Sequence, residues 1–179
     1  RRQLLDFNDF VSGYFLDDRA DIAAMLLTME ALKDADLNAE VTFAATAEEE
    51  VGGHGALYIM QRTNFDICIA LEIGPSVPES QFVPDAEPTI WVHDGYSAMQ
   101  ASDIRLLENL THDLGQTPHW QSLSRGGSDA SCAAAHGLCA RPITLGLAVE
   151  NSHGLEIMHV GAPDELSRLT TALLKELSS

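Results

Sequence analysis

The sequence predicts an α/β fold, a three-layer sandwich on a mainly parallel central sheet. Three observations carry that expectation. Residues 65–71 (Phe-Asp-Ile-Cys-Ile-Ala-Leu) and 142–148 are short, near-continuous apolar runs, the pattern of strands covered on both faces. Other segments repeat apolar residues near the helical period, as at Ile22, Met25, Leu26, Met29 and Leu32. The two patterns alternate along the 179 residues, the order expected of strands joined by helices.

Residues 14–20 open the first helix, with Asp17 and Asp18 where an N-cap and a first-turn acid belong. Taken alone, that pair is explained by capping. Residues 33–38 form a polar turn, and Val41, Phe43 and Ala45 mark a buried strand. It runs into Thr46-Ala47-Glu48-Glu49-Glu50-Val51-Gly52-Gly53-His54-Gly55-Ala56, three adjacent acids and a glycine-rich turn that leads into a helix over 56–62. Side-by-side carboxylates at a strand end repel one another and are costly to desolvate unless a cation or a proton offsets them. A solvated acidic turn is the plain alternative for the triplet by itself.

The run over 65–71 reaches Glu72, and Ile73-Gly74-Pro75 reads as its stop. Residues 75–88 carry four prolines and read as a surface loop; 89–93 read as a strand. A helix is expected over 98–114, with Ile104, Leu107 and Thr111 on one face and Gly115 as its stop. After a short strand at 120–123, Arg125-Gly126-Gly127-Ser128-Asp129 turns into a small-residue helix over 130–136. A strand at 142–148 and a helix at 163–177, striped by Leu166, Leu169, Leu173, Leu174 and Leu177, close the chain. Trp91 and Trp120 are read as core residues.

The formal net charge of −17 argues against nucleic acid and against an anionic membrane as partners, since both need a basic footprint. No apolar run approaches the roughly 18 residues of a membrane span, and no leader pattern stands at the start. Cys68, Cys132 and Cys139, an odd number without a CxxC pair, fit buried reduced thiols in a cytoplasmic protein. The opening from Arg1-Arg2 reads like the end of a preceding segment.

Asp17, Glu49, Glu50, Glu72, Asp129 and His153 all fall at strand ends or at turns entering helices, where open α/β sheets bind ligands. Singly, each has an ordinary explanation as cap, solvated charge, turn acid or surface histidine. Together they supply carboxylates with one or two imidazoles, a set that suits Zn²⁺, Mn²⁺ or Co²⁺ better than Ca²⁺.

Phe15-Leu16-Asp17-Asp18-Arg19-Ala20, then Ala45-Thr46-Ala47-Glu48-Glu49-Glu50-Val51-Gly52, then Gly126-Gly127-Ser128-Asp129-Ala130 and a late histidine resemble metallopeptidase family forty-two. Order and spacing match over essentially the whole chain. The resemblance implies a co-catalytic metallo-exopeptidase fold, with residues 14–179 as the catalytic α/β domain and 1–13 as the remnant of an inserted β-domain. It implies a metal-dependent aminopeptidase that cleaves N-terminal residues from peptides with a metal-activated water, using two divalent ions, Zn²⁺ or Co²⁺, with Mn²⁺ as a further option.

By the same resemblance Asp17 bridges the ions, and Asp18 follows it across a strained or cis peptide. Glu49 is the general base, Glu50 and His153 bind one ion, and Glu72, where the family usually has an aspartate, binds the other. Gly127 and Asp129 support the substrate side. A homo-oligomer is implied for the complete protein. The sequence shows no counterpart of the family's upstream His-x-Asp segment, so one ion keeps Asp17, Glu50 and His153 while the other keeps only Asp17 and Glu72. Glu150-Asn151-Ser152-His153-Gly154 also stands where the family more often has Arg-Tyr-Ile-His-Ser. His159 is the rival to His153, and His54 is expected at the surface or beside the ligands. Two other readings share these residues: a related carboxypeptidase or N-acyl amino acid deacylase, and a non-catalytic relic of the fold.

Overall fold

The computed structural model describes residues 4–179; Arg1, Arg2 and Gln3, the start of the expected 1–13 segment, lie outside it. Strands β1 (Leu5–Phe7) and β2 (Phe10–Gly13) form a hairpin, followed by helix α1 (Leu16–Leu32) and helix α2 (His54–Met60). Strands β3 (Cys68–Pro75) and β4 (Pro88–His93), helix α3 (Ala101–Leu114), strand β5 (His119–Ser122) and helix α4 (Asp129–Ala135) come next. Strands β6 (Pro142–Glu150) and β7 (Glu156–His159) and helix α5 (Ala162–Leu177) complete the chain.

The seven strands make one sheet ordered β1-β2-β7-β6-β4-β5, with β3 on the other edge of β6. Strand β6 is its spine. Its first eight residues run parallel to β3, while its opposite edge pairs antiparallel with β4 at 144–147 and with β7 at 149–150. Side chains on the spine alternate between the two faces. Ile143, Leu145, Leu147 and Val149 enter a core with Ala20 and Ala24 of α1, Leu107 of α3, and Leu166, Leu169 and Leu173 of α5. Thr144 points the other way and shares a 2.7 Å hydrogen bond with Ser128, the N-cap of α4. Met60, Ala133 and Cys139 form a second cluster on that side. The α/β sandwich expected from the sequence is therefore present.

Several details differ. The sheet is mixed rather than mainly parallel, because only the β3–β6 and β4–β5 ladders are parallel. Strand β3 does not stop at Glu72: β6 offers it partners through Val149, so Glu72 sits inside the ladder. The strand expected over 41–45 has no ladder partner among the described residues, and Val41 and Phe43 are half-buried while Thr42 and Ala44 are exposed. Val41 and Phe43 line a groove of about 420 Å³ with Met29 and Leu32 of α1. Strand β7 carried no expectation at all. Trp91 is buried as expected, but Trp120 is 38% exposed. No described helix is long and apolar enough to cross a membrane.

Candidate metal centre

Three loops converge at one edge of the sandwich. The first enters α1, whose opening residues Asp17 and Asp18 keep non-helical backbone angles and are joined by a cis peptide. Neither caps the helix; its N-cap is Phe15, with no side-chain cap bond. The second is the acidic turn, wound tightly by its own amides. The Gly52 and Gly53 N–H groups donate to the Glu49 carbonyl at 3.0 and 2.9 Å, and Gly55 N–H donates to the Ala47 carbonyl at 2.9 Å. Gly53 has φ +64, a backbone conformation that favours glycine, and a Cβ there would make a tight 3.1 Å contact with Cys132 Sγ. The third links β6 to β7 and carries His153.

Glu156, 1% exposed at the start of β7, ties the first loop to the third. Its Oε2 accepts from Leu16 N at 2.6 Å and Asp17 N at 3.3 Å, and its Oε1 accepts from His153 N at 3.1 Å. Phe15, Glu48 and His153, one in each loop, all adopt left-handed backbone (φ 62, 60 and 63). Non-glycine residues enter that region at a cost of about 1–2 kcal/mol each, and they persist where the surroundings hold them.

Ligand-type atoms of Asp17, Glu50 and His153 lie within 4.8 Å of one another. His153 Nε2 stands 3.3 Å from both Asp17 Oδ2 and Glu50 Oε2. One imidazole nitrogen and two carboxylate oxygens match the donor set of a catalytic zinc-type site, which leaves a position open. Burial, with Glu50 and Glu156 adding repulsion, pushes the Asp17 carboxyl up to about 6 even though His153 opposes the shift. Burial and the neighbouring Asp129 and Glu50 charges push Glu49 to about 7. Asp18 rises to about 7, mainly through burial. Glu72, 9% exposed, is held well above its usual range by burial and then by Asp17. No lysine or arginine pairs with these acids among the described residues.

The expected residues therefore divide. Asp17, Glu50 and His153 come together; Glu49 precedes Glu50 in the turn and feels the same charges. Glu72 lies outside the 4.8 Å triad, with Oε1 accepting from Ile73 N at 2.9 Å. Asp129 begins α4 and accepts from Thr46 Oγ1 at 2.5 Å, which joins the Gly-Gly-Ser-Asp turn to the acidic turn. Gly127 lies under the Tyr96 ring, where a Cβ would come within 2.1 Å of Cδ2. His54 Nδ1 contacts Glu48 at 3.1 Å on the surface. His159 packs against Phe10, with ring centroids 5.5 Å apart, and accepts from Gly161 N–H. The sequence reading missed Glu156 and Asp21, which is 1% exposed.

A family model described as "M42 glutamyl aminopeptidase" matches residues 3–169. Among solved structures, the Pyrococcus horikoshii TET1 peptidase superposes with a TM-score of 0.87 at 23% identity, covering 98% of this chain and 53% of that one. That peptidase is described as assembling into a tetrahedron or a large octahedral shell. A TET aminopeptidase from the marine sediment archaeon Thaumarchaeota archaeon SCGC AB-539-E09 gives 0.86 at 19% identity, covering 98% and 52%. Aminopeptidase APDkam598 from Desulfurococcus kamchatkensis gives 0.84 at 21% identity, again covering 98% and 52%. The present chain thus spans about half the length of these structures.

Proposed function

The chain belongs to the M42 glutamyl aminopeptidase family, and on that premise we propose that it is a metal-dependent aminopeptidase whose general base is Glu49. The observation that carries this reading is the convergence of Asp17, Glu50 and His153 within 4.8 Å, next to a glutamate pushed up to about 7. The donor set fits a divalent cation, and so does the charge: a crowded group of half-buried acids has no ammonium or guanidinium partner among the described residues. We assign Asp17, Glu50 and His153 to one ion, and Asp17 with Glu72 to a second. Zn²⁺ or Co²⁺ suits the oxygen and nitrogen donors, and Mn²⁺ is compatible. Such a cation supplies positive charge that polarises a peptide carbonyl and makes water more acidic.

Glu49 takes a proton from the attacking water as the oxygen bonds to the carbonyl carbon. It returns that proton to the amine as the C–N bond breaks. A base near neutrality is matched to both transfers. Glu50, with its Oε2 3.3 Å from His153 Nε2, would hold the cation, so the two glutamates divide the work. Asp18, Asp129 and Gly127 border the substrate side, where acidic groups suit the free α-amine of a peptide. By likeness to the TET peptidase assemblies, the working form is a homo-oligomer acting on peptides; the three free cysteines suit the cytoplasm, and we assign it there.

Glu49→Gln keeps the shape of the side chain and removes the base. The expected result is a fall in turnover of at least about 100-fold, with metal content per chain unchanged. Undiminished hydrolysis by that variant would overturn the assignment.

A further inference from the structure

Helix α4 holds the acidic turn near both of its ends. At the entrance, Thr46 Oγ1 donates to Asp129 Oδ2 at 2.5 Å, the short range of a hydroxyl bonded to a carboxylate. At the exit, Cys132 Sγ donates to the Gly52 carbonyl at 3.3 Å. Asp129 and Cys132 stand three residues apart and so share one face of the helix. Gly53 is seated against both: a Cβ there would lie 3.1 Å from Cys132 Sγ and 3.2 Å from Asp129 Oδ1. Glu49 and Glu50 lie between the two attachments, and after burial itself Asp129 bears most on the Glu49 carboxyl. The helix is anchored in turn. Ser128 and Ser131 form a capping box at its start, and Ser128 shares its 2.7 Å hydrogen bond with Thr144 of β6. Strand β6 thus governs two of the three loops, His153 just beyond its end and the acidic turn through α4.

We propose that Thr46 is a positioning residue: its hydroxyl, clasped by Asp129, sets where Glu49 and Glu50 stand relative to Asp17 and His153. The inference rests on the metal-dependent reading above, and it gives Thr46 no contact with cation or substrate. The bonds within the turn, from the Gly52, Gly53 and Gly55 amides to the Glu49 and Ala47 carbonyls, fix its internal shape. They do not fix its place on the sandwich, which is what the contacts to α4 supply. Of those contacts the Thr46–Asp129 bond is the stronger hold, because its acceptor is a carboxylate; a thiol is a weak donor. Ligand sets are sensitive to such holds, and removing groups that orient ligands typically weakens metal binding roughly 10–100-fold.

Thr46→Val removes the hydroxyl and keeps the shape of the side chain, while Thr46→Ser keeps the hydroxyl. Both are compared with the wild type by amide hydrogen exchange of the metal-free protein and by Zn²⁺ titration well below the melting temperature. In Thr46→Val the Gly52, Gly53 and Gly55 amides should exchange about 10-fold faster, as the turn opens more readily without its clasp. Zn²⁺ should bind that variant at least about 10-fold more weakly. Thr46→Ser should restore both quantities to wild-type values. If Thr46→Val does not fold, Thr46→Ala is measured in its place with the same expectations. A Thr46→Val protein that melts lower but binds Zn²⁺ like the wild type would make Thr46 merely structural and overturn the proposal. A Thr46→Ser protein no better than Thr46→Val would overturn it as well, and both results leave the peptidase reading standing. A wild type that binds no Zn²⁺ would overturn the metal-dependent reading and, with it, the role given to Thr46.

Discussion

Glu156 takes no part in the proposed chemistry, yet the geometry of the ligand set depends on it. Its carboxylate accepts three amide hydrogens: those of Leu16 and Asp17 on one loop, and that of His153 on a loop nearly the whole chain away. Bonds to an ionised acceptor are roughly twice as strong as neutral ones, so this one side chain fixes where Asp17 and His153 meet. Glu156→Ala is expected to lower stability by about 3 kcal/mol, because buried amides lose their acceptor. It should also weaken metal binding roughly 10–100-fold, as removal of groups that orient ligands does. Glu156→Gln, which keeps an acceptor oxygen, should fall between the two. Metal titration and denaturant melts check both effects; a Glu156→Ala protein with wild-type metal affinity would contradict the account. A carboxylate whose partners are all backbone amides leaves no spacing pattern, which is why Glu156 stayed hidden in Leu155-Glu156-Ile157 while Glu49-Glu50 stood out.

At the scale of elements, the entry to α1 and the acidic turn bring Asp17, Asp18 and Glu49 into one crowded region beside Glu72 of β3. In the metal-free protein the Asp17 carboxyl rises from 3.8 to about 6, Asp18 from 3.8 to about 7, and Glu49 from 4.5 to about 7. Raised values mean that the folded state binds protons more tightly than the unfolded chain. The resulting stabilisation is complete below about pH 4 and is lost as the pH climbs through about 6 to 7. The metal-free protein is therefore expected to melt at a higher temperature near about pH 5.5 than near about pH 7.5. Saturating Zn²⁺ should flatten or reverse that trend, since the ion competes with protons for the same oxygens. Melting curves across this range with and without metal decide it; identical pH profiles would mean that the acids do not form the site. Elements whose pattern comes from their own residues were readable: the leucine stripe of α5 and the apolar run of β6 lie within a few residues of their expected positions. Elements set by partners were not. Four-residue β7 is defined by its pairing with β2 and β6, and residues 41–45 have strand-like side chains but no described neighbour to pair with.

Over the whole molecule, a mixed sheet with helices on both faces delivers three loops to one edge, and that placement lets separate motifs act as one site. The fold class was legible because alternating apolar runs and helical stripes survive any choice of strand direction. The antiparallel ladders of β4 and β7 with β6 depend on how loops return the chain, which no local pattern encodes. Helix α1 also leaves Ile22, Leu26, Leu27 and Met29 substantially exposed, an apolar surface consistent with the assembly proposed above. The measurement that bears most directly on the central claim is release of the first residue from a peptide with a free N-terminus by the Zn²⁺- or Co²⁺-loaded protein. The same peptide N-acetylated, and the chelated protein, serve as comparisons. The account predicts cleavage of the free-amine peptide only, and only with metal present. Equal or preferential cleavage of the acylated peptide would contradict it in favour of a deacylase or carboxypeptidase, and no metal-dependent cleavage of either would contradict the catalytic reading itself.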